Sequence, residues 1–219
     1  MNIQNYHSIL SELSDHVKLI AVSKTKPVED IEILYREGQR VFGENRAQEL
    51  KSKYEVLPKD IEWHFIGHLQ TNKIKYIAPF VSLIHSVDSF NLLQEIDAHA
   101  KKVNRTIPCL LQFYIAQEET KFGFDRQECI EMLESDEFKM LQNIEIVGVM
   151  GMATFTDDQN QITNEFKSLH DHFQFLKSTY FKENTEFKEI SMGMTDDYPI
   201  AIQQGSTMIR IGSAIFGSR

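Results

Sequence analysis

Two cations stand where the surrounding residues predict buried strand. Lys24 ends the β-forming run in "LIAVSKTKP", and Arg210 lies inside "TMIRIG". Burial disfavours the charged form of a lysine and lowers its pKa from a reference of about 10.4. The neutral amine that results condenses with carbonyls. Strand alternation puts Lys24 on the same side as Val22 and Ile20, the inward side if the sheet closes on itself. A solvated surface ammonium is the competing reading. Lys26 shares the parity of Lys24, although its neighbour Pro27 assigns it to the exit loop. Arg210 does not discharge, so a buried guanidinium needs either an ion pair with an acidic residue or an acceptor on a ligand.

Two glycine-containing turns accompany these cations. "SMGMTDDYPIAIQQGS" precedes the Arg210 strand and "IGSAIFG" follows its arginine. Glycines let backbone N–H groups approach an anion, hydroxyls add donors, and a helix end adds partial positive charge. Thr195, followed by Asp196 and Asp197, reads as the cap that opens a helix there. The alternative is that these glycines serve only as tight turns.

The elements that must position such groups alternate along the whole chain. Strand candidates are "KLIAVS", "RVFGE", "EWHFIG", "LIHSV", "IPCLLQFYI", "IEIVGVM", "FKEISM" and "TMIRIG". Helical spacing runs through "VEDIEILYRE", opened by Pro27 and closed by Gly38, and through "SFNLLQEIDAHAKKV", "RQECIEMLES" and "NQITNEFKSLHDHFQFLKSTYF". No composition shift or Gly/Ser/Pro-rich linker divides the chain, so residues 1–219 are expected to form one domain. The repeated β-α alternation predicts a (β/α)8 TIM barrel, shorter than the roughly 250 residues usual for that fold. An open doubly wound sheet fits less well, because no GxGxxG turn follows the first strand. Little chain follows "TMIRIG", and the amphipathic N-terminal stretch "IQNYHSILSELSDHV" is expected to cover the gap as an extra helix.

In this fold function gathers at the C-terminal ends of the strands, and a phosphate is often held after strands seven and eight. Those ends present Lys24, Glu44 with Asn45, Gly67 with His68, Asp88, Tyr114 and Met150. Ser191 with Gly193 and Gly212 with Ser213 complete the ring. Such a ring reads as a small-molecule site with a potential amine nucleophile and an anion pocket. His64 and His68 lie four apart, but across a strand and its exit loop rather than on one helix face, which disfavours a zinc pair. Met150, Met152, Met192 and Met194 read equally well as core filling.

Composition bounds the partners. The 219 residues are 42% hydrophobic and 25% charged, with a net charge of −9. That balance describes an ordinary globular chain and disfavours nucleic acid or an anionic membrane as partner. Lys73 and Lys75 form a local basic spot, best read as a solvated helix face. Cys109 and Cys129 are the only cysteines, and no CxxC or His/Cys cluster accompanies them, against a disulfide framework or zinc site. No apolar stretch approaches the roughly 20 residues of a membrane span, and "MNIQNYHSIL" lacks the pattern of a signal peptide. A reducing cytoplasm is the expectation.

The combination resembles fold-type III pyridoxal phosphate proteins. More narrowly, "AVSKTKP", "FGEN", "WHFIGHLQTNK", "GVMGMAT", "SMGMTDD" and "GSTMIRIGSAIFG" are similar to the YggS/PROSC family of pyridoxal phosphate homeostasis proteins. The resemblance implies that Lys24 carries pyridoxal 5′-phosphate as a Schiff base. It also implies that Asn45 lies by the pyridine ring and that Arg210 faces the ring nitrogen. Ser191, Gly193, Gly212 and Ser213 would line the phosphate, with Met150 and His64 near the pocket. Two departures fall near the rim after strand five. Phe122 stands in "ETKFG" where a small residue is common, and Tyr114 and Ile115 stand where Asn-Val or Asn-Ile is common.

The resemblance implies a cofactor-binding protein in pyridoxal phosphate homeostasis, with little or no catalysis, that serves pyridoxal-phosphate-dependent apo-enzymes; a monomer is expected because the second domain of the related racemases, with its dimer interface, is expected to be missing. Arginine does not readily share a proton with the pyridine nitrogen, which leaves the ring a weaker electron sink. The alternatives are a pyridoxal-phosphate-dependent amino-acid racemase and a cofactor-free Schiff-base aldolase. Alanine racemase, on the related fold, tolerates such an arginine but uses a second domain and a partner's tyrosine. Nothing follows "IFGSR", so that domain is expected to be missing, and Tyr114 or a histidine would have to replace the tyrosine.

Overall fold

The computed structural model describes residues 1–116 and 122–217. The eight apolar runs form parallel strands: β1 Lys18–Val22, β2 Val41–Glu44, β3 Glu62–Phe65, β4 Leu83–Val87, β5 Ile107–Gln112, β6 Ile144–Met150, β7 Glu189–Ser191 and β8 Met208–Ile211. Each pairs with the next and β8 pairs with β1, which closes the predicted barrel. Around it lie α1 Ile3–Glu12, α2 Val28–Arg36, α3 Ala47–Val56, α4 Phe90–Lys102, α5 Arg126–Glu134, α6 Asp136–Lys139, α7 Gln159–Thr179, α8 Tyr198–Gln203 and α9 Ser213–Phe216.

Local signals set these boundaries. Pro27 is the N-cap of α2, and Gly38, at φ +99°, follows its last turn. Asp125 opens α5 with a capping box: the Glu128 N–H donates to Asp125 and the Asp125 N–H donates to Glu128. Asp158 caps the long α7, whose buried Ile162, Phe166, Leu169, Phe173 and Leu176 keep helical spacing.

Several strands are shorter than their apolar runs. After Gln112 the chain leaves the barrel and Phe113 bridges to Phe124. In "FKEISM" only Glu189–Ser191 is strand; Phe187 packs outside the barrel, stacked between Phe173 and Phe181. Apolar burial fills those positions without making them strand.

Alternation divides the core in two. Ile20, Leu83, Leu110, Met150 and Met208 pack inside the barrel, while Leu19, Ala21, Phe42, Trp63 and Ile209 belong to the larger layer beneath the helices. Helix α1 closes the β8–β1 side as expected. The Asn2 N–H donates to the Ile215 carbonyl at 2.7 Å, and Asn5 Nδ2 donates to the Ala214 carbonyl at 2.8 Å. Both cysteines are buried and free, and burial pushes the Cys129 thiol up to about 12. Lys73 and Lys75 lie on a surface 3-10 turn, Thr71–Tyr76. Among the described residues, no helix is long and apolar enough to cross a membrane.

Candidate functional site

At the C-terminal mouth of the barrel a cavity of about 530 Å³ is bordered by Val22, Lys24, Asn45, Arg210, Gly212 and Ser213, among others. Lys24 lies two residues beyond the end of β1, half-buried, on the parity of Ile20 and Val22. Lys26 also borders this space, but its ammonium donates to the carbonyls of Phe216 at 3.3 Å and Gly217 at 3.1 Å. Lys26 thus ties down the end of α9.

Arg210 projects from β8 and is 4% exposed. Its Nη1 donates to Ser191 Oγ at 2.6 Å and its Nη2 to the Gly151 carbonyl at 3.1 Å. Ser191 Oγ lies 2.8 Å from His85 Nδ1, and His85 Nε2 lies 2.9 Å from His64 Nδ1. A continuous polar chain therefore crosses the barrel beneath the cavity. Burial lowers Arg210 to about 10, partly countered by Asp197, so the guanidinium remains charged at neutral pH. Burial, reinforced by Lys18, pushes His64 down to about 3. Burial, then His64 and Arg210, hold His85 well below the ordinary imidazole range. Both imidazoles are neutral.

Of the residues singled out from sequence, Lys24, Asn45, Arg210, Gly212 and Ser213 converge on the cavity. His64, Ser191 and Met150 lie in the barrel interior beneath it, Met150 within the apolar plug. Gly193 is buried against α8: at φ +96°, a Cβ there would come within 2.7 Å of Ala201 Cβ. Its carbonyl accepts the Arg210 N–H at 2.9 Å. Thr195 does not cap α8. Asp197 holds that position, with Oδ1 accepting the Met194 N–H, because the helix starts at Tyr198. Thr195 instead accepts from Ser213 Oγ at 3.1 Å, joining the two glycine-containing turns across the cavity edge.

The rim is apolar, with Phe122, Met152, Phe155 and Met194 exposed around the opening. His68 packs its ring 5.2 Å from Phe122 and binds Asp88 through Nδ1 at 2.9 Å. Tyr114 follows β5, where its N–H pairs with the Phe124 carbonyl. Residues 119–121 of "ETKFG" fall outside the described residues. Sequence reasoning did not single out His85, although "LIHSV" places it inward by the same alternation that selected Lys24. Lys53, buried at the foot of the Lys24 loop, was also missed. Its spacing of three from Leu50 and six from Ala47 puts it on the buried face of α3.

A closed barrel with this mouth defines a class. The model of the family described as alanine racemase, N-terminal domain, matches residues 2–219. Pyridoxal phosphate homeostasis proteins of Aquifex aeolicus and Synechocystis sp. are similar over nearly the whole chain. The first is 39% identical, covering 92% of this chain and 87% of the relative; the second is 37% identical, covering 98% and 97%. Among solved structures, PipY of Synechococcus elongatus PCC7942 with PLP bound has a TM-score of 0.87 at 33% identity, covering 98% of this chain and 99% of that one. The chain belongs to the alanine racemase N-terminal-domain family and, within it, to the pyridoxal phosphate homeostasis proteins.

Proposed function

We propose that the chain binds pyridoxal 5′-phosphate in the barrel mouth and helps maintain its supply, with little or no catalysis. The observation that carries this reading is the convergence of the Lys24 amine, the Arg210 guanidinium and the hydroxyl-bearing Gly212–Ser213 turn on one cavity of about 530 Å³. That donor set suits an aldehyde, a pyridine nitrogen and a phosphate, and the volume is ordinary for a small-molecule site. The names of the relatives and the cofactor bound to PipY agree with it.

In this reading Lys24 holds the cofactor by a covalent link from its ε-amine, and Lys26 is left to α9. Asn45 flanks the ring, Arg210 faces the ring nitrogen, and Gly212 with Ser213 receives the phosphate. Ser191 and His64 act through Arg210 rather than by touching the ligand. Gly193 and Met150 shape the floor. When bound, the cofactor supplies an electrophilic aldehyde and an electron-withdrawing ring. A charged Arg210 does not take up a proton for that ring, which limits its electron-sink character.

A racemase would need a second acid/base at the cavity. Among the described residues, Tyr114 does not border the cavity and His64 and His85 are neutral beneath it, which leaves His68, paired with Asp88 at the rim, as the one histidine that borders the cavity. The net charge of −9 agrees with a protein that avoids nucleic acid and anionic membranes. A cytoplasmic monomer serving pyridoxal-phosphate-dependent apo-enzymes completes the reading.

Adding pyridoxal phosphate to the purified chain should produce a visible absorbance band. Its absence with excess cofactor contradicts the proposal. Chiral analysis after prolonged incubation with L-alanine should show no conversion, and turnover near 1 s⁻¹, the low end of ordinary enzymes, would establish the racemase instead.

A further inference from the structure

Both neighbours of Lys24 are fastened by one charged cluster, buried at Lys53 and Glu44 and partly open to solvent at Glu49. On the N-terminal side, the Ser23 carbonyl accepts from Lys53 Nζ at 2.8 Å and the Ser23 hydroxyl donates to Glu44 Oε1 at 2.6 Å. On the C-terminal side, the Thr25 N–H donates to Glu49 Oε1 at 2.6 Å. Lys53 joins the two halves, with Nζ 2.7 Å from both Glu44 Oε1 and Glu49 Oε1. An ammonium has three N–H donors. Here each finds an acceptor on a different element: the Lys24 loop, the end of β2 and the first turn of α3.

The backbone shows what this cluster accomplishes. Thr25 has φ +63°, a region that β-branched residues avoid because their side chain crowds the backbone. Left to itself, threonine would relax to negative φ and carry Lys24 with it. Such conformations persist where the surroundings over-determine them. The surroundings here are Glu49 on the Thr25 N–H and Lys53 with Glu44 on Ser23. Lys53 is 5% exposed and Glu44 fully buried, which shields the Lys53–Glu44–Ser23 half from water, while the Glu49 bond to Thr25 lies at the surface.

We propose that Lys53, Glu44 and Glu49 form a clamp that holds the Ser23–Thr25 turn in its strained form and thereby presents the Lys24 amine to the cavity. They are positioning residues and do not contact the ligand. The inference rests on the reading of Lys24 as the attachment point.

The test compares the full chain with Glu49→Ala and with the double variant Glu49→Ala/Thr25→Gly. Glycine adopts positive φ without steric cost. Three quantities are read on folded protein: pyridoxal phosphate affinity, the fraction of borohydride-stable adduct on Lys24, and amide-exchange protection at residue 25 without cofactor. Glu49→Ala should weaken affinity about tenfold and lower residue-25 protection by a similar factor. The double variant should recover at least threefold in affinity; because affinity is read on protein that is already folded, a role for Glu49 confined to global stability predicts no such recovery. If Glu49→Ala yields too little folded protein, Glu49→Met, which keeps the methylene packing, replaces it with the same expectations. Wild-type affinity in the folded single variant, unchanged residue-25 protection, or a double variant no better than the single overturns the clamp. A wild-type adduct that maps away from Lys24 overturns instead the reading beneath it.

Discussion

Arg210 meets Ser191 side chain to side chain inside the barrel, Nη1 donating to Oγ at 2.6 Å. Because a guanidinium only donates, the Ser191 hydroxyl proton is directed onward to His85 Nδ1. His85 then carries its proton on Nε2 and donates it to His64 Nδ1, which puts the His64 proton on Nε2 as well. One fixed charge thus sets the tautomers of two imidazoles. Nitrogen NMR of the folded protein should find both neutral and protonated at Nε2.

Cutting the chain at its second link should be costly. Ser191→Ala leaves His85 Nδ1 and one Arg210 N–H without their partner in a buried site. Such a loss costs about 1–3 kcal/mol. Urea unfolding should show a reduced midpoint with an unchanged slope, and pyridoxal phosphate affinity should fall because Arg210 is no longer fixed.

The buried imidazoles also set a pH dependence. Their folded pKa values lie below the unfolded value of 6.5, His64 at about 3. The unfolded chain therefore binds more protons below pH 6.5, and stability falls as the pH drops from 6.5 towards 3. His64 contributes a slope approaching about 1.4 kcal/mol per pH unit within that window, and His85 acts in the same direction. Denaturant midpoints measured between pH 7 and 5 should fall in the wild type and fall less steeply in His64→Gln. Parallel profiles would show that His64 is not the titrating group.

Gly67 secures Asn45. A Cβ at residue 67 would stand 2.4 Å from Asn45 Cβ and 2.6 Å from the Asn45 carbonyl oxygen. Gly67→Ala should displace that backbone, destabilise the fold by about 1–3 kcal/mol and weaken cofactor binding. Thermal denaturation and an absorbance titration read the two effects separately.

Lys26 is the internal control. Lys26→Met removes a donor shared by the Phe216 and Gly217 carbonyls, a loss of about 1 kcal/mol in stability, while attachment at Lys24 persists. Loss of the absorbance band in this variant would transfer the role to Lys26.

Much of this arrangement was legible along the chain. Alternation put Lys24 on the inward parity, its place within an apolar strand singled out Arg210, and the β-α rhythm gave the barrel, because period and strand order are local properties. The polar chain was not legible: Ser191, His85 and His64 come from β7, β4 and β3, and only barrel closure brings them together. Lys53 was overlooked for another reason. "ELKSKY" reads as a solvated face, yet Lys53 shares the buried side of α3 with Ala47 and Leu50 and is compensated by two carboxylates. Strand ends were overread where apolar residues such as Phe187 pack outside the sheet.

Reduction of the pyridoxal-phosphate-treated chain with borohydride, followed by proteolysis and mass spectrometry, bears most directly on the central claim. The expected result is a single reduced cofactor adduct on the peptide that contains Lys24, at that residue. An adduct confined to Lys26 or to surface lysines, or none at saturating cofactor, would contradict it.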